Sequence, residues 1–388
     1  MKKPALFLFV VFAVAACLPL IYAYHVWNTG ARALGEDEFN FGVTCGFNTT
    51  IEIKLLVDKV KNYTDLLVFD SWDVVRNETI LNEVCDYASD AGLKFIVYFD
   101  LISGTADPSM SAYPWHKDWL MTADDRWSGK FLGIYLHDEL GGKQLERQEY
   151  VTNASDYNDA ANKFVAYVQS FPSLRWARNN GIPLFVSDFG LYWWVYLGGY
   201  DTVFVELGLL LHNTTQQIAL CRGAAKMQEE DWGAIIVWKT NDPPYFGSGE
   251  EMYADMTAAY RAGAKYVLVF NDQRYPENNP YGTLNEEHFH AMEEFYSYTK
   301  EHPRNVAGRT DGRVALVLPR DYGWGLRHPE DKIWGLWNAP DDKSPIVWEN
   351  MNKLIDRYGL ELDIVFDDPR FKPREKYPVV YLWNATIT

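Results

Sequence analysis

The chain has 388 residues, enough for one large domain and a smaller one. Its formal net charge of −17 excludes a protein that neutralises nucleic-acid backbones, because phosphates would be repelled. Aromatic residues make up 16% of the chain, with 15 Trp and 25 Tyr, which suits either a large aromatic core or rings that stack on sugars.

At the N-terminus, Lys2 and Lys3 precede an uncharged stretch over 5–24, about the 20 residues that span a bilayer. Lysines at the start and none directly after place the N-terminus inside and the body outside. Residues 1–24 therefore read as a signal peptide or, by preference, an uncleaved membrane anchor, which puts the body at the cell surface. Val14-Ala15-Ala16-Cys17 also resembles a lipoprotein processing box. Six Asn-x-Ser/Thr sequons, at Asn48, Asn62, Asn77, Asn153, Asn213 and Asn384, agree with export and glycosylation. Residues 25–38 read as a linker. Beyond Cys17 there are Cys45, Cys85 and Cys221, an odd number without metal-site spacing, so at most one disulfide forms.

From residue 39 the apolar runs are short, continuous and rich in β-branched residues. They predict strands over 39–45, 66–70, 93–100, 131–137, 182–187, 202–207, 234–239 and 265–271. Helical patterns fall between them, at 46–61, 78–92, 157–170, 215–230, 250–262 and 285–300. Asn77 is placed to cap the second of these and Gly92 to end it. Residues 101–130 read as a long connection holding Trp115, Trp119 and Trp127, and Trp193-Trp194 as an aromatic loop. Runs apolar on both faces are parallel strands, and eight strand–helix units over 39–308 predict an α/β chain with a (β/α)₈ TIM barrel.

A second unit over 309–388 carries strands at 313–319, 362–366 and 379–383 and a helix at 346–358. This reads as a partial doubly wound, flavodoxin-like domain. It stops at Thr388 directly after a strand, so the expectation is either a truncated product or an edge completed by a partner, with homo-oligomers assembling through this module.

Acidic residues end seven of the barrel runs: Asp70, Asp100, Asp138 with Glu139, Asp188, Glu206, Asp242 and Asp272. In a barrel these ends converge on one mouth, where active sites lie. The sharpest motif is Gly133-Ile-Tyr-Leu-His-Asp-Glu-Leu-Gly-Gly142, in which a strand delivers His137, Asp138 and Glu139 and two glycines permit a close turn. Glu139 is the candidate proton donor, since its catalytic neighbour Asp138 would raise its pKa, and Glu206 is the candidate second carboxylate, with Asp188 the next choice. Asp70, Asp100, His137, Asp188, Lys239, Asp242 and Asp272 are candidate substrate ligands. Trp72, Trp193, Trp194 and Trp238 are candidate stacking platforms, and Trp72 and Trp238 read equally as core.

The strand-four segment resembles glycoside hydrolase-type barrels, many of which place a catalytic acid there. The order of barrel and flavodoxin-like module is similar to that of family 42 β-galactosidases, at the level of a clan. The resemblance implies hydrolysis of an oligo- or polysaccharide by two carboxyl groups, without cofactor. It also implies a nucleophilic glutamate ending strand seven, where this chain has Trp238-Lys239-Thr240-Asn241. A barrel that binds glycan without catalysis is the alternative. Histidines are too few at strand ends for a metal-dependent hydrolase.

Overall fold

The computed structural model describes residues 39–99, 115–209, 213–240, 242–273, 279–304 and 310–387. Eight parallel strands run in chain order: β1 (Asn40–Cys45), β2 (Leu66–Phe69), β3 (Lys94–Tyr98), β4 (Phe131–Tyr135), β5 (Leu184–Asp188), β6 (Thr202–Leu207), β7 (Asp231–Ile236) and β8 (Tyr266–Val269). Each pairs with the next, and β8 pairs with β1, so the barrel closes as expected. The intervening helices are α1 (Thr50–Val60), α2 (Trp72–Val75), α3 (Glu78–Asp90), α4 (Trp115–Trp127), α5 (Leu140–Arg147), α6 (Tyr157–Ser170), α7 (Pro172–Asn179), α8 (Tyr192–Gly198), α9 (Thr214–Gln228), α10 (Gly249–Arg261) and α11 (Glu286–Glu301). Asn77 does cap α3, accepting from the N–H groups of Thr79 and Ile80, and Gly92 follows it at φ 88°.

Two segments read as loops are helices. Trp119 and Trp127 are buried on α4 against Phe95 and Phe131, so the tryptophans around 115–127 belong to packing. Trp193 and Trp194 sit on α8.

Side chains alternate across each strand. Leu66, Val68, Ile96, Tyr135, Phe185, Phe204, Ile235, Tyr266 and Leu268 fill the barrel interior, while their neighbours pack outward on the helices. The same parity carries Asp70, Ser187, Glu206 and Asp272 inward, and turns Asp188 outward.

After the barrel come β9 (Val314–Leu318), α12 (Ser344–Tyr358), β10 (Leu362–Phe366), α13 (Pro373–Lys376) and β11 (Val379–Leu382). The three strands form a parallel sheet in the order β10-β9-β11, which is all of that sheet among the described residues. It packs on the barrel, and residues 39–388 form one compact unit. One close contact is at Gly223 on α9, where an added Cβ would lie 2.5 Å from the carbonyl oxygen of Ile364. Beside it, Arg222 is buried and spans the junction. Its Nε donates to Asp363 at 2.7 Å, and its remaining nitrogens reach the carbonyls of Ala262, Thr310, Leu360 and Leu362.

Cys45, Cys85 and Cys221 are buried free thiols. Among the described residues no helix is long and apolar enough to cross a membrane, and residues 1–38, with the expected anchor, lie outside them.

Candidate active site

A cavity of about 680 Å³ opens at the carboxyl ends of the strands. Of the candidates from sequence, Asp70, Trp72, Asp138 and Asp272 line it. Thr44, Tyr98, Tyr135, Phe270 and Gln273 line it too, though nothing about their spacing marked them in the sequence. Tyr98 and Tyr135 meet edge to face at 4.9 Å. A polar ring interrupting an apolar barrel strand is the signal that would have found them.

β4 ends in a strained turn. His137 and Glu139 both adopt left-handed backbone, at φ 64° and 52°, which costs about 1–3 kcal/mol for each non-glycine residue. The turn is held from β5: the Glu139 N–H donates to the Ser187 carbonyl at 3.0 Å. Asp188 accepts from the N–H groups of Gly141 and Gly142, at 2.6 and 2.8 Å, and from Phe189 and Gly190. That places a carboxyl at the N-terminus of α5, where four otherwise unpaired donors begin. Burial pushes Asp188 up to about 7, against the pull of the Gly141 and Gly142 N–H groups. Its position behind the wall corrects the expectation that it binds substrate.

The two glycines are required by close approach. A Cβ on Gly141 would lie 2.1 Å from the Gly190 carbonyl oxygen, and one on Gly142 would strike the Phe189 ring at 2.2 Å. Gly141→Ala is expected to cost about 3 kcal/mol by overpacking against backbone, measurable as a lower denaturant midpoint at unchanged m-value.

Asp138, which lines the cavity, gathers with Glu139 and Glu206, which are not among its lining residues. Ser187 Oγ lies 2.7 Å from Glu206 Oε1 and 3.3 Å from Asp138 Oδ1. Those two legs bring one oxygen of each acid within reach of a single hydroxyl. Tyr135 also donates to Asp138 at 3.3 Å while accepting from the Ser187 N–H. Lys143 reaches Asp138 Oδ2 at 3.3 Å and Glu139 Oε2 at 3.8 Å. A hydroxyl has one proton, so it bonds both acids only if one carboxyl brings its own. Glu206 fits that role. It is 4% exposed, and burial, then the charges of Glu139 and Asp138, push it well above the usual carboxylate range. Glu139 is pushed up to about 7, first by burial and then by Asp138.

Across the cavity, Asp70 and Asp272 flank Gly46, which forms an isolated bridge to Asp272. Burial and the charge of Asp272 raise Asp70 well above its ordinary value.

The other candidates are elsewhere. His137 is buried, stacked on Phe171 at 4.0 Å with Nδ1 2.6 Å from the Tyr200 hydroxyl, and burial lowers it to about 3; it does not line the cavity. Trp193 and Trp194 pack against Phe366, Phe371 and Trp334 and are core, not platforms. Trp238 stands behind Phe270, against Tyr245. Lys239 pairs with Glu251 at 2.7 Å beside a separate cavity of about 290 Å³. Asp242 belongs to the turn that follows, its carbonyl accepting from Thr240 and Tyr245. Strand seven thus gives the main cavity only Ile235. Asp100 lies outside the described residues. Among the described residues no group of three or more His, Cys, Asp or Glu side chains is arranged to hold a metal ion.

No protein-family model matches the chain, and no curated protein matches its sequence. Solved structures resemble it in fold. The endo-1,4-beta-mannanase from Rhizomucor miehei is 9% identical with a TM-score of 0.42, covering 68% of this chain and 95% of its own. A D-psicose 3-epimerase solved in the presence of D-fructose is 10% identical, with a TM-score of 0.38 over 70% of this chain and 100% of its own. A 3-hexulose-6-phosphate synthase is 13% identical, with a TM-score of 0.32 over 65% and 99%. These likenesses concern the fold alone and carry no argument about chemistry.

Proposed function

We propose that the chain is a glycoside hydrolase whose reaction centre is Glu139, Asp138 and Glu206. The observation that supports this is the bridge Asp138–Ser187–Glu206 beside a Glu139 raised to about 7. Glycoside hydrolysis needs one protonated and one ionised carboxyl on either side of the scissile bond. Glu139 holds a proton up to neutral pH and donates it to the leaving oxygen. Of the other two, Asp138 lines the cavity and is surrounded by donors, while Glu206 lies beneath it and exchanges a proton through Ser187.

A general acid must be protonated, so hydrolysis is expected to fall as pH rises through about 7. Glu139→Gln should lower kcat by about 10²–10⁴-fold and abolish that limb of the profile. Asp138→Asn removes the neighbouring charge and should shift the limb to lower pH. The measurement is kcat/KM against pH for oligosaccharides that wild type cleaves. Rates unaltered by Glu139→Gln and by Glu206→Gln would overturn the assignment.

A glycan-binding barrel without catalysis is the second reading. It is favoured by strand seven, whose Lys239 stands where the resemblance calls for a glutamate and pairs with Glu251. Turnover that depends on Glu139 excludes it.

With the hydrolase reading go a carbohydrate substrate and a family 42-like layout with a flavodoxin-like module through which copies assemble. Export to the cell surface and tethering by residues 1–24 complete it. Support for export comes from Lys2, Lys3, the uncharged stretch behind them and the six sequons.

A further inference from the structure

Asp138 and Glu139 are consecutive acids with different parts to play, so something must make them unlike. Lys143, in the first turn of α5, is placed to do so. Glu139 precedes that helix, and the Lys143 N–H donates to the Glu139 carbonyl at 2.8 Å. Helical side chains lean toward the N-terminus, which brings the lysine back over both acids. Its Nζ donates to the Asp138 carbonyl oxygen at 2.8 Å and to Asp138 Oδ2 at 3.3 Å, and lies 3.8 Å from Glu139 Oε2.

The other neighbours reinforce the difference. Asp138 Oδ1 is 3.3 Å from the hydroxyls of both Tyr135 and Ser187, surroundings that suit an ionised carboxylate. Glu139 faces mostly acids: Asp138 beside it, Glu146 with Arg147 on α5, Asp188 from β5 and Glu206 from β6. Glu146 is itself paired with Arg327 at 3.0 Å. A cation attracts the nearer of two carboxylates more strongly. Where the pair holds one negative charge, that charge therefore settles on Asp138 and the proton on Glu139.

We propose that Lys143 is a positioning residue that holds the negative charge on Asp138 and so leaves the proton on Glu139, fixing which of the two adjacent acids donates to the leaving oxygen. The proposal rests on the reading of these acids as the reaction centre. Lys143 is not among the residues lining the cavity, and it acts through the acids. Without its charge both acids ionise at higher pH, Asp138 by more because it is nearer. The interval in which Asp138 is charged and Glu139 protonated then narrows from its acid side.

The test is an NMR titration of the side-chain carboxyl carbons in the full chain, with Asp138→Asn and Glu139→Gln assigning the two signals. In wild type, Asp138 should lose its proton at lower pH than Glu139. In Lys143→Met the Asp138 midpoint should rise by about one pH unit or more, and by more than that of Glu139. Lys143→Gln, which keeps a donor for the Asp138 carbonyl without the charge, should do the same, and Lys143→Arg should restore the wild-type spacing. With an oligosaccharide that wild type cleaves, the acid limb of kcat/KM should follow the Asp138 midpoint in the neutral variants. A lysine that only pins the turn would leave both midpoints in place in Lys143→Gln. Glu139 ionising first in wild type, or midpoints unmoved in both neutral variants, overturns the assignment. Absence of turnover overturns the hydrolase reading alone, since the titration needs no substrate.

Discussion

Glu206→Gln is expected to cut hydrolysis by about 10²–10⁴-fold and, at pH 8, to make the fold harder to melt. The first effect follows from the loss of a carboxyl that shares a hydroxyl with Asp138. The second follows from where the carboxyl sits. Burial first, and then the charges of Glu139 and Asp138, raise it well above its usual value. A group raised in the fold contributes stability that is fully present below its unfolded pKa, about 4.3, and lost as pH rises through the folded value. Glutamine keeps the shape and the contact to Ser187 but never ionises. The melting temperatures of wild type and variant should therefore converge near pH 4 and separate in favour of the variant by several degrees at pH 8. Thermal melts across that range, run beside rate measurements, read both signs. A variant less stable at pH 8 would mean that the fold needs the charge there. An unchanged rate would remove Glu206 from the reaction.

Arg222→Met is expected to be the most damaging substitution outside the mouth, costing about 3–5 kcal/mol. The guanidinium is 5% exposed and its ion-pair partner Asp363 is fully buried. Removing the cation leaves that carboxylate with the Tyr377 hydroxyl at 2.8 Å as its side-chain donor among the described residues, and takes a donor from the carbonyls of Thr310, Leu360 and Leu362. Because these groups join α9 to the three-stranded sheet, limited proteolysis should release that sheet before the barrel unfolds. The double variant Arg222→Met/Asp363→Leu, which removes both charges, should regain much of the lost stability. A single variant with wild-type melting would show that the junction is held by packing at Gly223 instead.

The strands were legible because a parallel barrel buries both faces of each, and runs such as those ending at Phe69 and Leu207 are continuous as a result. That same continuity hid the site. Where Phe185 and Val186 are both apolar, hydrophobicity does not say which parity faces inward, so Ser187 went unread and Asp188 was mistaken for a substrate ligand. Asp70, Glu206 and Asp272 were readable as acids at strand ends, and parity happened to favour them. Trp193 and Trp194 were misplaced for a different reason. The surface that covers them comes from Trp334, Phe366 and Phe371, far along the chain, and no local pattern announces such a partner. The helix at Trp115–Trp127 was obscured by the prolines before it, although its Trp119 and Trp127 bury against β3 and β4.

Ser187 and Asp188 are adjacent, yet one faces the reaction and the other the scaffold. The hydroxyl links two acids in the mouth, and the carboxylate next to it fastens the turn that carries Glu139. Over evolutionary time these two duties cannot be revised separately. Inserting or deleting one residue in β5 would exchange the pair, driving a charge among the acids and leaving the glycine turn unanchored. Descendants of this chain can therefore diversify by lengthening the loops around the mouth, but the length of this short strand is fixed by both its neighbours at once.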